Sequence, residues 1–150
     1  MSPFTLLQLV GPAIALHTAE TMHAAFPDRF GVSQVLRRIV DAGRSGLWSW
    51  GADGTPFLAD DAVALLPTDG TAWTAEQVRD RALEAVAGEI RIMLDEGVVA
   101  GPQDIDLCLI LGAGWPFHLG GIAPYLDRTG VSERVTGRRF LPPGVASLPA

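Results

Sequence analysis

The segment Thr74–Glu96 constrains the fold more than any other part of the chain. Thr74-Ala75-Glu76-Gln77 has the form of a capping box, in which a threonine hydroxyl and a glutamine side chain each satisfy an orphan N–H of the first turn. Glu76 adds an acid where the helix dipole favours one. Val78, Ala82, Val86, Ile90 and Met93 then fall on one apolar stripe, with Arg79, Asp80, Glu84, Arg91 and Asp95 on other faces. Gly97 is placed to end the helix.

The flanking sequence reads as further helices. Ser2 can cap a first helix with Pro3 at its first position, and Gly11-Pro12 breaks the pattern and restarts it. From Pro12 to Phe26 the stripe is Ile14, Thr18, Met22 and Ala25, and Pro27 ends that helix. Val32–Ala42 reads as a third helix burying Val32, Val35, Leu36 and Ile39, stopped by Gly43 and Gly46. Residues 43–60 carry Gly43, Gly46, Gly51, Gly54 and Pro56, and predict an irregular crossing with a small hairpin at Asp53-Gly54. Asp60–Leu66 predicts one or two helical turns. Pro102 starts another helix that Gly112 and Gly114 end, and short helices follow over 121–126 and 131–139. The tail after Phe140, with Pro142, Pro143 and Pro149, is expected to be extended.

Composition narrows the function. The chain has 11 basic and 17 acidic residues and a net charge of −6, so it lacks the basic footprint that nucleic acids or anionic membranes require. Every basic residue is Arg, and there is no Lys or Asn, which we read as the mark of a GC-rich bacterial genome. Without Lys, Schiff-base chemistry and the P-loop lysine are excluded. The single Cys108 has apolar neighbours and is expected to be a buried, inert thiol. No apolar run approaches the ~20 residues of a membrane span, and no secretory signal is legible, so a cytoplasmic location is expected.

Several constellations imitate chemistry. Ile105–Gly114 runs from apolar residues into Gly-x-Gly, like the opening of a dinucleotide fold, but Phe117 stands where the third glycine belongs. We read it as a buried helix with a glycine end. His17 and His23 would point about 120° apart on a helix, and the histidines make no metal set. His17 and Glu20 are spaced to meet, as a surface pair rather than a catalytic dyad. Trp48, Trp50, Trp73 and Trp115 could wall a pocket but are read as core and hinge packing. No catalytic, cofactor-binding or metal residue is expected.

Pro3-Phe4 before a short apolar helix has a distant echo at Pro116-Phe117. With their surroundings these segments resemble the C-terminal helical region of the 3-hydroxyacyl-CoA dehydrogenase family. The nearest likeness is to the tandem-repeat version in bacterial multifunctional β-oxidation alpha subunits. Met1-Ser2-Pro3-Phe4…Leu6-Leu7…Val10-Gly11 resembles its P-M-G-P-F-x-L-L-D-x-V-G, and Ala24–Arg29 resembles the stretch after it. Glu89…Leu94-Asp95-Glu96-Gly97…Pro102…Asp106 resembles E-x-x-x-x-L-E-E-G-I-x-x-x-P-x-x-x-D. Leu111-Gly112-Ala113-Gly114-Trp115-Pro116…Gly120-Gly121…Leu126-Asp127 resembles G-x-G-F-P…G-G…L-D. The likeness covers roughly residues 1–130. Gln8 departs from the usual Asp, and Leu119 falls near a frequent Arg, so no polar role carries over at either place.

The resemblance implies an all-α fold of the 3-hydroxyacyl-CoA dehydrogenase C-terminal type, similar to the C-terminal domain of 6-phosphogluconate dehydrogenase. It divides the chain into the end of a first helical repeat (1–43), an irregular connection (44–73), a second repeat (74–140) and a tail (141–150). It implies a parent that oxidises 3-hydroxyacyl-CoA with NAD, possessing a Rossmann domain and a catalytic His–Glu pair that this chain does not contain. It further implies a fragment that walls the acyl-CoA cleft, mimics a dimer partner, packs on the remaining N-terminal portion of the parent and forms homo-oligomers. Candidate cleft or interface residues are Pro3, Phe4, Leu7, Trp115, Pro116, Phe117 and His118. The competing reading is an independent helical binding or oligomerisation module.

Overall fold

A computed structural model describes residues 3–68, 70 and 72–145. The chain forms two compact units, Met1–Thr71 and Ala72–Ala150. Among the described residues there are eight α-helices and one two-stranded sheet, which is the all-α architecture expected. None of these helices is long and apolar enough to cross a membrane.

In the first unit, α1 (Pro3–Val10) and α2 (Pro12–Ala25) meet at Gly11, whose φ of 100° suits only glycine. The proposed cap Ser2 lies outside the described residues. The buried face of α2 is Pro12 and Leu16; Ile14, Thr18, Met22 and Ala25, the stripe read from the sequence, are exposed. Both stripes satisfy the helical period, and the choice between them is made by the packing of α2 on α3 (Gln34–Asp41). There Ser33 caps through Leu36 N–H, and Ile39 and Val35 enter a small core with Leu47 and Ala62, while Val32, which precedes the helix, and Leu36, both read as buried, are half-buried outside that core. The strands β1 (Trp48–Trp50) and β2 (Pro56–Leu58) pair antiparallel around Asp53-Gly54, with Gly54 at φ 78°. Thr55 N–H and hydroxyl bond Asp53 and hold its carboxyl below the usual aspartate range. A single turn, α4 (Asp60–Val63), follows, and Asp61 pairs with Arg44.

In the second unit, α5 (Ala75–Asp95) carries the capping box as read: Gln77 N–H donates to Thr74 Oγ1 and Thr74 N–H to Gln77 Oε1. Its core-facing stripe differs from the one read. Ala87 and Ile90 are buried and Leu83 and Leu94 pack beside them, whereas Val78 is 55% exposed and Val86 38%. The two stripes share Ile90, and α8 (Val131–Thr136) selects the first of them by packing on α5. The helix α6 (Pro102–Gly112) occupies the segment that imitates a nucleotide-binding turn. It is a surface helix rather than a buried one: Ile105 is buried, but Leu107 and Leu111 are 59% and 72% exposed. Cys108 is exposed too, against expectation, because α6 lies at the surface. A 3-10 turn (Phe117–Leu119) leads to α7 (Ile122–Arg128). Gly137, at φ 76°, stops α8 at Thr136, short of the 139 anticipated. The described tail is not extended; Val145 N–H closes a turn on Pro142 C=O, and Pro149 lies outside the described residues.

Gly88 sits inside α5 with open space where a Cβ would go. Gly88→Ala is therefore expected to raise stability by about 1 kcal/mol, from helix propensity alone. Urea unfolding of the two proteins measures it.

Candidate functional site

Two buried or half-buried polar side chains organise the units. Asp127, at the end of α7, is 5% exposed. Its Oδ1 accepts from Ser132 Oγ at 2.6 Å and Phe140 N–H at 2.9 Å, and its Oδ2 accepts from Leu141 N–H at 3.0 Å. The strand of chain after α8 is thereby tied to α7. Arg91 reinforces the tie: its Nη2 donates to Arg139 C=O at 3.1 Å and its guanidinium lies 4.9 Å over the Phe140 ring. Gln8 does the corresponding work in the first unit, donating from Nε2 to Trp48 C=O at 2.9 Å and accepting Trp48 N–H on Oε1 at 3.0 Å. The amide has both a donor and an acceptor, so it grips both backbone groups of one residue; the carboxylate only accepts, so it takes two consecutive N–H groups. Sequence reasoning carried no role over to Gln8 and assigned none to Asp127. The signal available was a polar residue three places before a glycine in both units, Gln8 before Gly11 and Asp127 before Gly130.

Asp106 joins α6 to α7. Gly121, at the α7 N-cap, has no side chain to cap with, and Asp106 Oδ1 accepts Ala123 N–H at 2.8 Å instead. A Cβ on Gly121 would lie 2.2 Å from the Asp106 carboxyl carbon, so the glycine admits the aspartate. Burial raises the Asp106 carboxyl above the usual aspartate range, against the lowering effect of its backbone hydrogen bonds.

An apolar groove of about 570 Å³ lies in the first unit. Phe4 and Leu7 of α1, Val35, Leu36 and Ile39 of α3, and Leu47, Trp48, Leu58 and Leu66 line it, with the Ser33 hydroxyl as the polar exception. A smaller apolar cleft of about 270 Å³ lies in the second unit between α5 and α6, lined by Val86, Met93, Ile105 and Leu109, with Glu89 and Cys108 among its walls. Both can sort ligands by apolar area.

The sequence candidates divide between the units. Pro3, Phe4 and Leu7 belong to α1, and the last two face the groove. Trp115, Pro116, Phe117 and His118 belong to the turn of the second unit. That turn is rigidly held: Trp115 Nε1 donates to Gly120 C=O at 2.8 Å, Arg128 Nη2 to Leu119 C=O at 2.6 Å, and Trp115 meets Tyr125 edge-on. It leaves Phe117 75% exposed. Of the other tryptophans, Trp48 is half-buried while Trp50 and Trp73 are 54% and 52% exposed, so packing in a core accounts for only some of them. His17 and Glu20 do not pair; Glu20 binds Arg37 at 2.5 Å. Among the described residues no cluster of His, Cys, Asp and Glu is placed to hold a metal ion.

No protein-family model matches the chain. It is similar to the fatty acid oxidation complex subunit alpha of Acinetobacter baylyi, with 29% identity over 90% of this chain. It is also similar to the protein of that name from a Psychrobacter species, with 32% identity over 89% of this chain. It matches a portion of that protein. The matched part is 21% of the length of each relative.

Two outcomes follow from the carboxylates. Asp127→Ala strands two buried donors and a half-buried one and is expected to cost about 3 kcal/mol, read by denaturant unfolding. Asp106→Asn keeps the acceptor for Ala123 and removes a desolvated charge. Because the raised carboxyl favours the protonated folded state, wild type should gain stability relative to this variant as pH falls through the acidic range, and lose that gain towards neutrality. Paired unfolding curves across pH check the sign.

Proposed function

We propose that this chain serves as the helical, non-catalytic portion of a β-oxidation protein of the alpha-subunit type, whose whole assembly oxidises 3-hydroxyacyl-CoA with NAD. The observation that carries this reading is similarity to two fatty acid oxidation alpha subunits along nine-tenths of the chain. In this reading NAD and the His–Glu pair belong to other parts of the assembly, and this chain contributes surface. The groove at Phe4, Leu7 and Trp48 supports a wall for the acyl chain, being apolar and of the volume small ligands occupy. The exposed apolar residues of α1, with Leu9 73% exposed and Phe4 53%, support a face that packs on the remainder of a parent or, in the isolated chain, on a second copy. A self-contained helical module with no enzymatic parent would show no preference for acyl-CoA.

The test is tryptophan fluorescence of the whole chain titrated with 3-hydroxyacyl-CoAs of increasing length. Saturable quenching is expected, tightening about fourfold for each added methylene that is buried, from ~0.8 kcal/mol apiece. Leu58→Asp, on the rim of the groove, should weaken it. NAD should give no saturable signal. Length-independent binding that Leu58→Asp leaves intact, or saturable NAD binding, overturns the proposal.

A further inference from the structure

Each of the four tryptophans carries an indole N–H that needs an acceptor. Trp115 Nε1 donates to Gly120 C=O at 2.8 Å, and Trp50 and Trp73 are about half exposed. Trp48 differs: its Nε1 is buried, and among the described residues no atom accepts from it. The backbone of Trp48 is fixed, because Gln8 binds both its N–H and its C=O and Leu58 faces it across the hairpin. A buried N–H without an acceptor opposes folding, and native chains carry few of them. The Nε atoms of Arg91 and Arg139 share that condition, but their guanidinium groups engage Arg139 C=O and Asp127. The Trp48 indole has one donor only, so nothing else on the side chain compensates.

Trp48 lies in the wall of the 570 Å³ groove. None of the described residues lining that groove is ionisable, and its hydroxyl is that of Ser33. Ser33 Oγ accepts Leu36 N–H at 3.3 Å as the cap of α3, which leaves its O–H as a second donor. The groove thus sets two neutral donors in an apolar wall. A cation or a carboxylate would lose its hydration there and meet no counter-charge. A plain hydrocarbon chain gains from burial but leaves the Trp48 N–H as it is. A chain carrying one neutral acceptor oxygen gains the same burial and pairs the donor.

We propose that the groove selects acyl chains bearing a neutral oxygen, as a keto, ether or hydroxyl group, along their buried part, and that the Trp48 indole N–H reads that oxygen. This rests on the reading of the groove as an acyl site and names the substrate class within it. Trp48 determines specificity and takes no part in bond breaking. In an apolar site without a donor, an oxygen on the chain weakens binding, because it loses water and gains nothing. The Trp48 N–H offsets that loss. The order of affinities between oxygenated and plain chains therefore reports on Trp48.

The probes are dodecanoyl-CoA and its derivatives with one keto group at successive carbons from the fifth to the eleventh, added to the isotope-labelled 150-residue chain. Calorimetry gives affinity, and the indole N–H resonance of Trp48, assigned through its own backbone amide, reports the donor. At least one keto derivative is expected to bind about fivefold tighter than the plain chain, the factor of one neutral hydrogen bond, and to shift that resonance downfield. Trp48→Phe keeps an aromatic ring in the wall and leaves the Gln8 hydrogen bonds, which are to backbone. With its circular-dichroism spectrum unchanged, this variant should bind the plain chain more tightly than every keto derivative. Keto derivatives that bind no tighter than the plain chain, or a keto preference that survives Trp48→Phe, overturn the proposal. So does a bound keto derivative that leaves the Trp48 indole resonance unmoved, a result that needs no variant. In each of these cases plain-chain binding that Leu58→Asp weakens leaves the acyl reading standing. If neither plain nor oxygenated chains bind, both fall.

Discussion

The buried carboxylate of Asp127 is the interaction on which the second unit depends. Its three accepted hydrogen bonds connect α7, α8 and the segment that returns Phe140 to the core. A buried charge is tolerated only when its lone pairs are satisfied. Here two backbone N–H groups and a hydroxyl that is itself fully buried do so. The arrangement fixes where the chain goes after α8, and Phe140 then closes the cluster of Ala87, Ile90, Ile105, Ile122 and Leu126. Gln8 fixes the path of Trp48 in the first unit by the same logic with a neutral amide.

These ties account for the small residues around them. Gly46 lies against Gln8, where an added Cβ would come within 2.4 Å of the side chain, and Gly121 lies against Asp106. Both glycines are used for close approach of a polar side chain to backbone. Gly121 and Asp127 thus have structural work: Gly121 admits the Asp106 cap, and Asp127 holds the tail. Nothing in that work requires these positions to touch a substrate.

Function follows from what the helices leave open. The clusters around Ile39 and around Ile90 are each small, and each unit leaves large apolar residues on its surface. A scaffold of this kind offers apolar area and shape. Area of that sort can receive an apolar ligand or another helix.

The sequence by itself determined the helical class, the breaks between elements and the caps. Thr74 and Gln77, Gly11, Gly43, Gly97 and the hairpin at Asp53-Gly54 act through local sterics and local hydrogen bonds, so they are legible without neighbours. The candidate groove was partly legible, since Phe4 and Leu7 were singled out, but Ile39, Leu47, Trp48 and Leu58 join them only through folding. Tertiary structure alone decided which apolar stripe faces inward. On α2 and α5 two stripes share the helical period, and packing on α3 and α8 chose Leu16 over Ile14, and Leu83, Ala87 and Leu94 over Val78, Ala82 and Val86. It likewise left Cys108 exposed and buried Asp127. Periodicity states that a helix has a buried side; only the position of a neighbouring helix states which side it is.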